Sequence, residues 1–246
     1  MSEPGGATDV ERDPAQIEAM FSRIAKRYDF MNLLMTAGLD RRWRRLAALE
    51  TRLADGERAL DGCCGTGDLS LEIARRFPRS LVTGLDFSAA MLERARAKAA
   101  ARSGDAAAVD FVVGDLTALP FEDDRFAAVT VAYGVRNVPE LGRAFAEMVR
   151  VTRPGGRVIC LEITTPPAGA GRFFHSLWFE RVVPALGRLI AGEGSAYAYL
   201  PASVRAFPGA DELATIMTTA GLSGVSYRRF GMGIIALHVG LVGEGQ

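Results

Sequence analysis

Histidine and cysteine are scarce in this chain of 246 residues, with two of the former and three of the latter. His175 and His238 stand far apart, and Cys63, Cys64 and Cys160 do not join them at any metal-ligand spacing, so no metal site is expected. All three cysteines lie in apolar, strand-like surroundings, and two are adjacent. That pattern argues against a disulfide framework and fits buried, inert thiols in a reducing cytoplasm. An excess of one charge is also missing. Lys+Arg and Asp+Glu both number 29, for a net charge of zero. A nucleic-acid binder normally carries a basic excess, so nucleic acid is not an expected partner. No apolar run reaches the roughly 18–20 residues that span a bilayer. The opening "MSEPGGATDVERDPAQ" has neither a basic start nor an apolar core, unlike a secretory signal. The expectation is a soluble, cytoplasmic protein, with peripheral contact at the inner face of a membrane left open.

What the chain does have is apolar content, at 49%, enough for a sizeable core. Residues 1–14 read as a flexible tail and 241–246 as a second tail, with one domain over 15–240. Residues 15–56 carry apolar residues at helical spacing and a basic face, and read as a helical cap. From residue 58 short apolar strands alternate with helices. "RALDGCC", "SLVTGLDF", "VDFVVGD", "RFAAVTVAYGV" and "RVICLEIT" are strands. "LSLEIARRF", "SAAMLERARAKAAARS" (capped by Ser88) and "PELGRAFAEMVRVT" (with Pro139 near its first turn) are helices. Such alternation implies a mainly parallel sheet with helices on both faces. A further helix, "DELATIMTTAGL", ends at Gly221. "GVSYRRFG" and "GIIALHVGLV" then suggest an antiparallel hairpin that closes the sheet. Residues 166–208 break the alternation with a long apolar and aromatic insertion, which suggests a dedicated role.

"DGCCGTGDLSLEIA", residues 61–74, marks the site. In an open parallel sheet, ligands bind beyond the carboxyl ends of the strands. Gly65 and Gly67 follow the first strand and allow backbone to approach a ligand. Asp86 ends the second strand, where an acid hydrogen-bonds ribose hydroxyls. Asp115 ends the third, where a carboxylate can accept from an exocyclic amine. Each feature alone is weak; three at successive strand ends are hard to assign to structure alone. The dinucleotide fingerprint would need a third glycine where Ser70 stands. Asp61 and Asp68 flank the loop and repel a pyrophosphate. They suit a ligand with a cationic or amino-bearing centre, such as S-adenosylmethionine.

"LDGCCGTGDL", "VTGLDFSAAML", "GDLTALPFEDDRF", "YGVRNV" and "RVTRPGGRVICLE" resemble successive motifs of class I S-adenosylmethionine-dependent methyltransferases. "FSRIAKRYDFMNLLMTAGLDRRWRR" and "YLPASVRAFPGADELATIMTTAGL" resemble the ubiquinone/menaquinone biosynthesis C-methyltransferases. The resemblance runs from about Phe21 to about Gly240 and departs mildly at Gly62, where relatives often carry an apolar residue. It implies a Rossmann-like, seven-stranded, mainly parallel sheet with one antiparallel strand. It implies S-adenosyl-L-methionine as cofactor, with contacts at Thr66, Asp86, Asp115 and Leu116, beside the Gly65, Gly67 and Asp61 positions read from the loop itself. Ala132 matches a position where some relatives have a serine, and can offer only backbone and methyl contact. The implied reaction is C-methylation of a polyprenylated hydroquinone, with Arg136, Asn137 and Tyr28 as catalytic candidates and no metal. For Arg136 a helix-entry salt bridge is an equal alternative. Residues 173–190 are expected to form a substrate lid, a membrane contact or a homodimer interface. A methyltransferase for another small molecule and a non-catalytic scaffold of a quinone-biosynthesis assembly are the competing functions. A dehydrogenase is disfavoured by Ser70 and the acids around the loop.

Overall fold

The computed structural model describes residues 19, 22–23, 29, 32–33, 36, 38–102, 109–167, 169 and 202–243. Tyr28, His175, Trp178, the tail over 1–14 and the expected lid over 173–190 lie outside the described residues.

Seven strands form one sheet: β1 (Arg58–Gly62), β2 (Leu81–Asp86), β3 (Val109–Val113), β4 (Phe126–Ala132), β5 (Thr152–Ile163), β6 (Leu222–Phe230) and β7 (Ile235–Val242). Their spatial order is β3-β2-β1-β4-β5-β7-β6. β1 to β5 pair in parallel. β7 runs antiparallel to both of its neighbours, β5 and β6. The single antiparallel strand and the closing hairpin are both as the sequence predicts.

The central strands are buried on both faces, which is why they read as unbroken apolar runs. β4 alternates along its length. Val129 and Val131 join Leu60, Phe145, Met148 and Met217 on one face. Ala128 joins Trp43, Ile73, Ile159 and Leu161 on the other. The first face is covered by α4 (Leu141–Val151) and α5 (Ala210–Thr219), the second by α1 (Leu39–Glu50) and α2 (Asp68–Arg76). α3 (Ala89–Ala100) packs Leu92 and Ala95 against Phe111 of β3.

Local chemistry sets the element ends. Ser88 caps α3 by accepting from the Met91 N–H at 3.4 Å. Gly221, at φ 110°, follows the C-cap of α5, a backbone state that L side chains resist. Several boundaries differ from the sequence expectation. α4 starts at Leu141, two residues after Pro139, where the sequence places its start, and β4 stops at Ala132 rather than at Val135. β1 stops at Gly62 because Cys63 turns left-handed at φ 50°. The turn expected before β5 lies inside it. Phe126 pairs with Thr152 and Ala128 with Arg157, so residues 153–156 bulge out of the ladder. Among the described residues no helix is long and apolar enough to cross a membrane.

Candidate functional site

The sheet reverses its direction of winding at β1. From β1 the chain adds β2 and β3 on one side, then returns to place β4 on the other. The crevice beyond the carboxyl ends of β1 and β4 is the ligand position of open α/β sheets. Two loops meet there, residues 63–67 after β1 and 133–137 after β4.

The first loop is a tight coil of left-handed residues, Cys63 at φ 50°, Gly65 at 56° and Gly67 at 79°. Its two glycines do different work. Nothing lies within 4 Å of where a Gly65 Cβ would sit, so that backbone faces open space. A Cβ on Gly67 would come within 3.0 Å of Ala95 and Phe111, so that position is set by packing against α3 and β3. The Cys64 N–H donates to Leu85 O at 3.0 Å, and the Gly65 N–H donates to Asp86 Oδ2 at 2.8 Å. The other Asp86 oxygen accepts from the Ser88 N–H at 2.9 Å. Asp86 thereby joins the ends of β1 and β2.

Asp61 lies beneath this loop and is buried. Ser70 Oγ donates to one of its oxygens at 2.6 Å and Thr130 Oγ1 to the other at 2.8 Å. Burial pushes the Asp61 carboxyl up to about 6, against the opposing pull of the two hydroxyls and of Arg44. Ser70, where a dinucleotide site would have glycine, holds this carboxylate. Burial, and then the Asp86 and Asp61 carboxylates, push the Cys63 and Cys64 thiols up, so both stay protonated and unreactive.

Thr66 is buried and does not stand alone. Its hydroxyl donates to Asp29 Oδ1 at 2.6 Å and accepts from Lys98 Nζ at 2.8 Å. Lys98 also reaches Asp29 Oδ2 at 2.8 Å and Asp68 Oδ1 at 2.7 Å. Burial pushes Asp68 up, but Arg44, Lys98 and Arg102 outweigh it and hold the carboxyl below its usual range.

At the end of β3, Asp115 is exposed, and one of its oxygens accepts from the Thr117 N–H at 2.8 Å. Leu116 turns inward. Its Cδ1 lies 2.5 Å from where a Gly62 Cβ would sit, so the departure at Gly62 makes room for this side chain. Ala132, at the end of β4, is half-buried and pairs with Leu161.

The second loop begins with Tyr133, a non-glycine residue at φ 59°. Arg44, itself ion-paired with Asp40, stacks its guanidinium 5.0 Å from the Tyr133 ring centre. Arg136 and Asn137 follow in a 3-10 turn, Val135–Asn137. Arg136 is buried against Glu162, with Nη1 2.9 Å from Oε1, and the same nitrogen donates to Tyr133 O. The Asn137 N–H donates to Gly134 O at 3.0 Å. The two loops touch where a Cβ on Gly134 would collide with the Cβ of Cys63. Strained backbone at Cys63 and Tyr133, side by side, is characteristic of functional loops.

The structure therefore brings Gly65, Thr66, Gly67 and Asp86 together around one loop, with Asp61 beneath it. Glu162, Lys98 and Thr130 belong to the same region and were not singled out from sequence. A lone acid in "VICLEIT" and a lone hydroxyl in "AAVTVA" were the available signals for two of them.

Residues 9–242 match the model of the ubiE/COQ5 methyltransferase family. The chain belongs to that family. It is 45% identical over 225 residues to the demethylmenaquinone methyltransferase of Roseiflexus castenholzii, covering 92% of each chain. It is 46% identical to that of Thermus thermophilus, covering 90% of this chain and 99% of the relative. It is 42% identical to the ubiquinone/menaquinone biosynthesis C-methyltransferase UbiE of Geobacter sulfurreducens, covering 92% and 88%. Among solved structures, the [4+2]-cyclase SpnF superposes with a TM-score of 0.62 at 20% identity, covering 94% of this chain and 97% of its own. A phosphoethanolamine N-methyltransferase of Haemonchus contortus, solved with S-adenosyl-L-methionine, gives 0.60 at 14% identity, covering 87% of this chain and 56% of its own. These two likenesses show the class I methyltransferase fold alone, and one of them is a cyclase. The fold by itself does not set the chemistry.

Proposed function

We propose that the protein transfers the methyl group of S-adenosyl-L-methionine to a ring carbon of a polyprenylated hydroquinone, demethylmenaquinol or the corresponding ubiquinol precursor. The observation that carries this reading is the family match across nearly the whole chain, to relatives named for that substrate class.

The donor set supports the cofactor. The strand ends offer carboxylate acceptors, Asp86 and Asp115, and backbone opened at Gly65. Acceptors suit ribose hydroxyls and an adenine amine, and repel phosphate. Asp86 would hold the ribose and Asp115 the exocyclic amine. The backbone of Gly65, Thr66, Gly67 and Leu116 would line the remainder, with Ala132 contributing its methyl. Asp61 acts from beneath by tying the end of β1 to α2 through Ser70 and to β4 through Thr130.

When bound, the cofactor supplies a methyl group already activated on a cationic sulfur. This chain must do the rest: hold the ring carbon in line and favour the phenolate that makes that carbon nucleophilic. Arg136 is a guanidinium and cannot act as a base at neutral pH. It is paired in a buried salt bridge with Glu162, so any contribution to the phenolate would come from guanidinium N–H groups held by that carboxylate and not from an isolated positive charge. A water ordered by Tyr28 or by the neighbouring Asn137 is the candidate to accept the proton.

The test is transfer of labelled methyl from S-adenosyl-L-methionine to demethylmenaquinol and to the ubiquinol precursor, assayed side by side. Transfer to at least one quinol is expected. A folded protein that binds the cofactor and labels neither quinol would overturn the reading.

A further inference from the structure

We propose that Lys98 is a positioning residue of the methyl-transfer site, a bracket that fixes the glycine loop and the N-terminal segment to each other through Thr66, Asp68 and Asp29. The proposal rests on the methyltransferase reading for its consequence but not for its geometry.

The ammonium of Lys98 has three N–H donors and three acceptors: Asp29 Oδ2 at 2.8 Å, Asp68 Oδ1 at 2.7 Å and Thr66 Oγ1 at 2.8 Å. Thr66 closes the ring by donating to Asp29 Oδ1 at 2.6 Å. Three elements are joined at one nitrogen: the last turn of α3, the loop-to-α2 junction, and the segment that carries Asp29. The participants are only partly exposed, at 25% for Lys98, 30% for Asp29 and 31% for Asp68, so water screens them less than it would a surface pair. A second contact joins the same segment to the neighbouring loop. Ser22 Oγ lies 3.3 Å from Ser88 Oγ, two residues beyond Asp86. The N-terminal segment thus touches the glycine loop at Thr66 and the turn after Asp86 at Ser88.

The choice of lysine is itself informative. Of the 29 basic residues in the chain, 27 are arginine and two are lysine, Lys26 and Lys98. A guanidinium presents its donors in a flat fork. Only the compact ammonium can point three N–H groups at three acceptors arranged around it. Removing it leaves Asp29 and Asp68 without the cation they share beside the loop, with only Arg44 and Arg102 still acting on Asp68 and the Thr66 hydroxyl on Asp29. The physical consequence is coupling. Ligand that orders the loop also seats the segment, and the segment returns the same free energy to the ligand.

The test uses the full-length protein and two measurements. One is amide hydrogen exchange in the peptide containing Asp29, with and without S-adenosylhomocysteine. The other is cofactor affinity by calorimetry. Lys98→Met is expected to speed exchange in that peptide without ligand, and to weaken cofactor binding by about tenfold. Lys98→Arg should recover only part of either effect. Asp29→Asn cuts the bracket from its outer end, and serves if Lys98→Met fails to fold. Combined with Lys98→Met it should add little, because both break one device. Unchanged exchange around Asp29 in Lys98→Met, or fully additive effects in the double variant, would overturn the proposal. Exchange without ligand is independent of methyl transfer. A wild-type protein that binds no cofactor would therefore sink the functional reading while the exchange result still decides the bracket.

Discussion

At the scale of single residues, the site rests on polar groups that the core has to compensate. Asp61 is the clearest case. Its carboxyl is pushed up to about 6 in the folded protein, from an ordinary value of 3.8. Between those values the folded form keeps a proton that the unfolded chain has released. The folded state then binds more protons, so this group's contribution to stability falls as pH rises through the window. The full effect is on the order of 3 kcal/mol, at 1.36 kcal/mol per pH unit. Asp61→Asn removes the titration, and the Ser70 and Thr130 hydroxyls can still bond to an amide. Urea unfolding of both proteins at several pH values from 4 to 7.5 should show the variant gaining on the wild type as pH rises. A constant difference across that range would dismiss Asp61 as the titrating group. The sequence made Asp86 and Asp115 legible because each sits where an apolar strand stops. It made Asp61 legible too, but as a ligand neighbour. Its bonds to Ser70 and Thr130, nine and 69 residues away, leave no pattern in the chain. The same holds for Arg136 and Glu162, partners 26 residues apart. Lone polar residues in apolar runs announce that a partner exists, but not which one.

At the scale of elements, the two loops at the crevice are shaped against each other. Gly134 lies so close to Cys63 that a Cβ on it would meet the Cβ, Sγ and carbonyl oxygen of Cys63. Cys63 cannot yield easily, since its own backbone is held left-handed. Gly134→Ala should therefore cost about 1–3 kcal/mol, the usual scale of overpacking, and weaken cofactor binding as the loops part. Adding Cys63→Gly removes the opposing Cβ and relieves the left-handed strain. The double variant should recover most of the loss in a urea titration. A double variant no more stable than Gly134→Ala would show that the contact is not what holds the loops. The helices and strands themselves were readable, because burial on both faces writes apolar runs and helix caps write short polar signals. The bulge at residues 153–156 was not. "RPGG" reads as a turn before a strand, and only the pairing of Thr152 with Phe126 shows that the ladder begins earlier. Register across strands is a property of two segments, and one segment's composition does not carry it.

At the scale of the whole molecule, the sheet order places every cofactor candidate on one edge and the packed core behind it. A ligand held there binds the folded chain alone and stabilises all of it. S-adenosylhomocysteine at a hundredfold excess over its dissociation constant should add about 2.7 kcal/mol. For a chain of this size that amounts to a rise of about 5–10 °C in Tm. NAD at equal concentration should leave Tm unchanged, because the acids around the loop repel its pyrophosphate. A shift with NAD and none with S-adenosylhomocysteine would reassign the crevice. The position of β7 has a different consequence, one that concerns how the protein is made. β7 is synthesised after every strand it touches, yet it lies between two of them. Until residues 235–242 have left the ribosome, β5 carries a bare edge along seven registered pairs and β6 has no strand to join. A nascent chain halted before that point presents open N–H and C=O groups to its neighbours on the polysome. Completion of the sheet, and escape from that hazard, waits on one short strand at the end of translation of this domain.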